Sequence, residues 1–196
     1  MLDLDKLQDK SDHSMHRDIG SQGTWSVSSS KPGYGIDQLL DPRLDQLWQS
    51  EGPQPHLISI QFRKRMSICQ ISMFIDVQHD DSYTPQKLAL RAGTHFGDLQ
   101  DIRTVNLEQP RGWQHFKLGN YVDVPQDEVD WSDPEALSIK ANVVQVVIMA
   151  NHLNGKDTHV RGLKIYAPRK PIPDLLTDEE FQSFTSPAFT MHRTIR

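Results

Sequence analysis

The sequence holds a single cysteine, Cys69, so no internal disulfide can staple the fold. A reducing compartment, nucleus or cytoplasm, is the natural expectation for such a chain. Long apolar runs are missing too. The longest, Val143–Ala150, is broken by Gln145 and falls far short of the roughly 18 residues that a membrane-spanning helix needs. Met1-Leu2-Asp3-Leu4-Asp5-Lys6 is acidic with no apolar segment, so it does not read as a signal peptide. Positive charge is in deficit. With 21 Lys and Arg against 26 Asp and Glu, the net charge is -5, and a chain with that balance is not expected to bind nucleic acid or a membrane surface broadly. Arg63-Lys64-Arg65 is the local exception, and it reads as a solvated turn between two strands.

Catalytic signatures are equally scarce. There is no G-x-S-x-G elbow, no H-E-x-x-H, no phosphate loop and no cysteine pair. Gly93, Gly97 and Gly119 sit in turn contexts rather than in a phosphate cradle. Cys69 alternates with Ile71 and Met73, which suits core packing better than nucleophilic attack. His79, Asp80, Asp81, His152 and His159 come nearest to a metal set, yet no local pair of histidines fixes two ligands at once. The Asp80-Asp81 pair reads as solvated turn residues rather than as a general acid. The chain is therefore expected to be non-enzymatic, with no metal and no cofactor.

What is present is a recurring period of two. Ile58, Ile60 and Phe62 alternate with Ser59 and Gln61, the mark of a strand with one buried face. Cys69, Ile71, Met73, Ile75 and Val77 line one face of a long strand, with Gln70, Ser72 and Asp76 on the other. Further strands are expected at Trp25 and Val27, Lys87–Gly93, Ile102–Glu108, Trp113–Leu118, Ser138–Ala150 and Val160–Ala167, with Gln109-Pro110-Arg111-Gly112 as a turn. No helix-length period recurs between them, which disfavours a parallel α/β sheet and points to an all-β, antiparallel sandwich or jelly roll. Two short helical turns should precede the main strands, carrying Ile36, Leu39 and Leu40, then Leu44, Leu47 and Trp48. Gln54-Pro55 then delivers the chain in extended form.

Residues 1–18 read as a flexible segment and 19–168 as one domain, with 121–137 as an acidic surface insertion and 169–196 as a tail. Thr177-Asp178-Glu179-Glu180 in that tail resembles a helix start. Two loops are unusually rich in hydrogen-bonding side chains: Ser82-Tyr83-Thr84 after one strand, and Asn151 to His159 between the last two. Asn154-Gly155 alone would suit a two-residue hairpin turn, but the polar run is longer than such a turn needs, and the surplus suggests recognition.

Trp48-Gln49-Ser50 before Gly52, Gln54-Pro55-His56 leading into a strand, Asp81-Ser82-Tyr83-Thr84-Pro85, the run Ala150 to His159 and the final Ile195-Arg196 together resemble the DOC domain family of the anaphase-promoting complex, the family of its subunit ten. That complex is a ubiquitin ligase of the cell cycle. The resemblance runs from about Ile19 to Arg196 and implies a galactose-binding-type jelly roll. It also implies a non-catalytic subunit that shares destruction-box substrates with a coactivator and makes ubiquitination processive in mitosis. It assigns degron contact to Ser82 and Asn154, loop shaping to Asp157 and His159 and an aromatic edge to Tyr83, with Asn151 and His152 in the same loops. Ile195 and Arg196 would dock in a groove of a tetratricopeptide subunit. The acidic stretch 121–137 departs from the family pattern. A carbohydrate-binding module of the same sandwich type is the alternative, with Tyr83 and His152 as its nearest candidates for a sugar platform; a hydrolase using Asp80 or Asp157 has less support.

Overall fold

The computed structural model describes residues 16–119 and 138–169. Its strands are β1 (His16–Asp18), β2 (Gly23–Val27), β3 (Trp48–Gln49), β4 (His56–Ile68), β5 (Gln70–Asp76), β6 (Pro85–Gly93), β7 (Gln100–Asn106), β8 (Arg111–Lys117), β9 (Ile139–Asn151), β10 (His159–Val160) and β11 (Gly162–Pro168). They form a four-stranded sheet in the order β1-β11-β5-β8, a five-stranded sheet in the order β2-β4-β9-β6-β7, and a small ribbon of β3 with β10. Every pairing is antiparallel. This is the jelly-roll sandwich that the alternation of apolar residues implies.

The period of two places the core. On β4, Ile58 and Ile60 stand opposite Val146 and Val144 of β9, and with Leu88 and Leu90 of β6 they form the inner face of the five-stranded sheet. Ile71, Met73 and Ile75 of β5, with Leu163 and Ile165 of β11, supply the facing layer of the same buried cluster. Face-to-face packing of two antiparallel sheets needs this arrangement, because each sheet has one apolar side to remove from water.

Several expectations are corrected. Only the first helical turn exists, as α1 (Ile36–Leu39), whose Gln38 side chain accepts from the Gly35 N–H at 2.8 Å. The second does not form. Trp48 and Gln49 are extended instead, paired with Val160 and His159, and Ser50 donates its N–H to the Thr158 carbonyl at 3.0 Å. Long-range backbone pairing overrides a local three-and-four spacing here. The segment assigned to flexible residues 1–18 includes β1, which pairs with β11 from His16 to Asp18. Ile19 behind it is fully buried and donates to the Ile165 carbonyl at 2.8 Å.

Arg63-Lys64-Arg65 is no turn between strands. It lies inside β4, where pairing runs from Gln61–Val143 to Met66–Ala141, so Phe62–Arg65 stand opposite Asn142 alone. The extra residues bulge outward and keep the three charges exposed. The long strand also ends sooner than its pattern suggests. Cys69 falls between β4 and β5, Val77 opens a second helical turn, α2 (Val77–Asp80), and Gln70, Ser72 and Asp76 are buried like their apolar neighbours. They are satisfied there: the Gln70 amide donates to Ser72 Oγ at 2.9 Å, Ser72 Oγ lies 2.8 Å from His115 Nδ1, and Asp76 accepts from the Gln78 N–H to cap α2. Gln109-Pro110 does turn the chain, but Arg111 and Gly112 already belong to β8, and that strand joins the sheet opposite to β7. The acidic insertion, the helix start at Thr177 and Ile195-Arg196 lie outside the described residues.

Candidate functional site

Two loops meet at one end of the sandwich. The first leaves β5 through α2 and continues in a 3₁₀ turn, Asp81–Tyr83, entered by Asp81 at φ 46 and closed by the Thr84 N–H on the Asp81 carbonyl at 3.1 Å. The second joins β9 to β10 through another 3₁₀ turn, His152–Asn154. The two-residue hairpin that Asn154-Gly155 alone would suit is absent, in keeping with the longer polar run. Leu153 and Asn154 take the positive φ values, 51 and 56, whereas Gly155 has an ordinary φ of -58.

Gly155 is required for a different reason. A Cβ at this position would stand 1.7 Å from the Ser82 carbonyl oxygen, which is backbone and has nowhere to yield. The His152 N–H donates to the Thr84 carbonyl at 2.9 Å, so the two loops are seamed together at both points. Gly155→Ala is accordingly expected to destabilise the domain by about 1–3 kcal/mol, as overpacking usually does. Thermal melting would measure the loss, and the amide shifts it causes should centre on 81–84 and 151–159.

Polar residues hold the second loop from behind. Asn151, 2% exposed, donates its amide to the Asp157 carbonyl at 2.7 Å and accepts from Thr158 Oγ1 at 2.9 Å. Gln54 donates to the Gly155 carbonyl at 2.9 Å, His56 Nε2 donates to the Lys156 carbonyl at 2.7 Å, and Ser50 Oγ accepts from the Thr158 N–H at 2.8 Å. The loop backbone is therefore fixed by side chains up to 108 residues away.

Beneath the first loop lies a buried charge. Asp80 was expected to be a solvated turn residue, but it is 4% exposed and receives a two-pronged guanidinium. Arg161 Nε reaches Oδ2 at 2.8 Å and Nη2 reaches Oδ1 at 2.6 Å, while His159 Nδ1 approaches Oδ1 at 3.1 Å. Burial pushes the Asp80 carboxyl up, but the hydrogen bonds from His159 and Arg161 outweigh it, and the group sits below the ordinary carboxylate range. Tyr83 lies flat on His159, with ring centroids 4.2 Å apart and planes 11° from parallel.

The structure thus brings Ser82, Tyr83, His152, Asn154, Asp157 and His159 to one rim. Tyr83 and Asn154 are exposed, Ser82, His152, Asp157 and His159 half-buried. Asn151 is the exception among the sequence candidates: both ends of its amide are committed to its own loop, so it braces the rim from inside. Sequence reasoning missed Leu153, which is 75% exposed at the loop tip. An apolar residue flanked by His152 and Asn154 in a polar run was the available signal. It also missed Arg161 and its pairing with Asp80, which leaves no local trace.

The histidines do not converge. His79 turns back to Asp76 at 3.0 Å and His159 to Asp80 at 3.1 Å, and among the described residues no group of three or more His, Cys, Asp or Glu is arranged to hold a metal ion. Burial pushes the Cys69 thiol up to about 12, and its Sγ donates to the Tyr166 carbonyl at 3.3 Å, so it remains a protonated core residue.

The model of the family described as "Anaphase-promoting complex, subunit 10 (APC10)" matches residues 3–194. The human protein "Anaphase-promoting complex subunit 10" is 40% identical over 180 residues, covering 92% of this chain and 88% of the relative. A protein of the same name from Schizosaccharomyces pombe is 42% identical over 162 residues, with 83% and 79% covered. "Anaphase-promoting complex subunit DOC1" of Saccharomyces cerevisiae is 33% identical over 144 residues, with 74% and 53% covered. Among solved structures, the family 32 carbohydrate-binding module of Clostridium perfringens NanJ, in complex with galactose, aligns with a TM-score of 0.60 at 13% identity, over 78% of this chain and 99% of that one. The first two such modules of ZmpB from the same organism, in complex with GalNAc, give 0.62 at 11% identity over 86% and 38%. At such low identity these likenesses show the sandwich fold alone.

Proposed function

Since this chain belongs to the anaphase-promoting complex subunit 10 family, we propose that its rim of Ser82, Tyr83, Asn154 and His159 is a receptor surface for destruction-box degrons, shared with a coactivator. Membership makes the chain a non-catalytic subunit of that cell-cycle ubiquitin ligase; the chemistry belongs to other subunits. The observation that carries the receptor reading is hydrogen-bonding capacity left over at the rim. Thr84 Oγ1, His152 Nε2 and His159 Nε2 are buried without a partner among the described residues, and Asn154, exposed beside them, offers both donor and acceptor to an extended backbone.

Such contacts bind weakly by themselves, because a disordered peptide loses conformational freedom on docking. A second receptor on the coactivator raises the effective concentration and lengthens residence on the ligase. Longer residence means more ubiquitin transfers per encounter, which is processivity. In a reconstituted ligase, Ser82→Ala with Asn154→Ala should leave assembly intact and shorten the ubiquitin chains added in a single encounter. Chains of unaltered length would contradict the reading.

Attachment is assigned to the tail. Ile195 offers an apolar side chain to a pocket of a tetratricopeptide subunit, and the Arg196 guanidinium pairs with acids there in a two-pronged geometry. Removal of Ile195-Arg196 should weaken co-purification with the complex while the melting curve of the domain stays unchanged. Arg196→Lys, which keeps the charge and loses the fork, should weaken it in part. A subunit of this ligase would work in nucleus and cytoplasm.

The sugar-binding alternative draws only on the shared sandwich. One face of Tyr83 is taken by the His159 ring, so a pyranose would have to stack on the other.

A further inference from the structure

We propose that Asp80 is a positioning residue of the rim. By accepting a hydrogen bond from His159 Nδ1 it fixes that imidazole in one tautomer and orientation, and through the ring stack it sets Tyr83 for the peptide. This rests on the receptor reading above and adds a residue to it that touches no ligand.

The argument begins at the carboxylate. Asp80 takes both prongs of the Arg161 fork, at 2.8 Å and 2.6 Å, and this geometry belongs to an ionised carboxylate. An ionised carboxylate only accepts, so the ring nitrogen 3.1 Å from its Oδ1 must carry the proton. In the neutral imidazole the proton is then on Nδ1, and Nε2 is an acceptor. That atom is shielded from water and has no partner among the described residues. Its acceptor capacity is therefore unspent, and a peptide N–H that displaces the groups covering it beside Tyr83 can take it up; an extended peptide carries one such group at almost every residue. The opposite tautomer would meet the same N–H with a second donor.

Orientation follows from the same contacts. The imidazole is held at its edge by Asp80 and over its face by Tyr83, 4.2 Å away. Arg161 is itself anchored, by its N–H on the Phe74 carbonyl at 3.1 Å and by Nη1 on the Leu44 carbonyl at 3.3 Å. A chain of fixed groups thus runs from the sheet, through Arg161, Asp80 and His159, to the 39% exposed Tyr83 at the surface. Without Asp80, nothing among the described residues tells His159 which nitrogen to protonate.

The test uses the full chain labelled with ¹⁵N. The imidazole shifts of His159 in the wild type should show protonated Nδ1 and bare Nε2. Asp80→Asn is nearly isosteric, but its single, neutral carbonyl oxygen cannot replace both carboxylate oxygens. Because Arg161 Nη2 and His159 Nδ1 share Oδ1, the hold on a protonated Nδ1 should weaken and the share of that tautomer should fall. Binding of a destruction-box peptide in the presence of coactivator should fall about tenfold. In a His159→Ala background, Asp80→Asn should then cost little more, because its effect passes through the ring. A wild-type His159 protonated on Nε2 overturns the proposal, whatever the variant does. So does an Asp80→Asn protein whose tautomer balance shifts while its affinity stays that of the wild type, or a loss that adds in full to that of His159→Ala. If the wild type itself fails to engage the peptide beside coactivator, the receptor reading falls and this proposal with it; wild-type binding with an indifferent Asp80→Asn sinks the proposal alone.

Discussion

Trp48→Ala is expected to lower the stability of the domain by about 3–5 kcal/mol, the usual cost of removing a fully buried large side chain. Trp48 is 0% exposed, and its indole N–H donates to the Ser29 carbonyl at 3.0 Å. A tryptophan buries on the order of 200 Å², which at roughly 25 cal/mol per Å² is about 5 kcal/mol, comparable to the whole net stability of many domains. The damage should not remain local. Trp48 opens β3, β3 pairs with β10, and Ser50 just beyond it holds Thr158 at the end of the rim loop. Denaturant titration should show a much earlier midpoint, and the residual native protein should have a loosened rim. A loss below about 1 kcal/mol would mean that the indole packs more loosely than its burial implies.

Arg161→Met should cost about 3 kcal/mol, since removing one partner of a buried pair strands the other charge. Asp80 would keep only His159, and the Leu44 carbonyl would lose its guanidinium. The pH dependence carries a distinct signature. Asp80 titrates lower in the folded protein than its ordinary value near 3.9, so its pairing contributes stability above that value and loses it as pH falls through the lowered folded value. The gap between wild type and Arg161→Met should therefore be full at neutral pH and narrow below about pH 4, where protonation removes the stranded charge. A gap that does not change with pH would show that the cost is packing alone.

The sandwich was legible because its inner strands obey one rule. Ile58-Ile60, Leu88-Leu90 and Ile71-Met73-Ile75 alternate without interruption, and each pattern reappears in the buried cluster. What escaped has physical causes. β3 is two residues long, too short to show a period, and Leu44, Leu47 and Trp48 happen to fall at helical spacing. The bulge at Arg63-Lys64-Arg65 interrupts the alternation of β4, and three charges at an interruption look like a turn. Asp80 has the local sequence of a surface loop; its burial depends on Arg161, 81 residues further on.

The rim was legible in part. The polar surplus from Asn151 to His159 marked the loop, and the resemblance to DOC domains joined it to Ser82-Tyr83. Its division of labour was not legible, since Asn151 and Asn154 look alike in the sequence. One is sealed between Asp157 and Thr158, while the other stands exposed at the surface. Only three-dimensional closure of the loop tells them apart.

The most direct measurement records amide shifts of the full chain while destruction-box peptide is added beside coactivator, and separately while galactose is added. Perturbations at Ser82, Tyr83, Asn154 and His159 with the peptide, together with silence toward the sugar, are the predicted result. Shifts at those positions with galactose, and none with the peptide, would contradict a rim built to hold degrons.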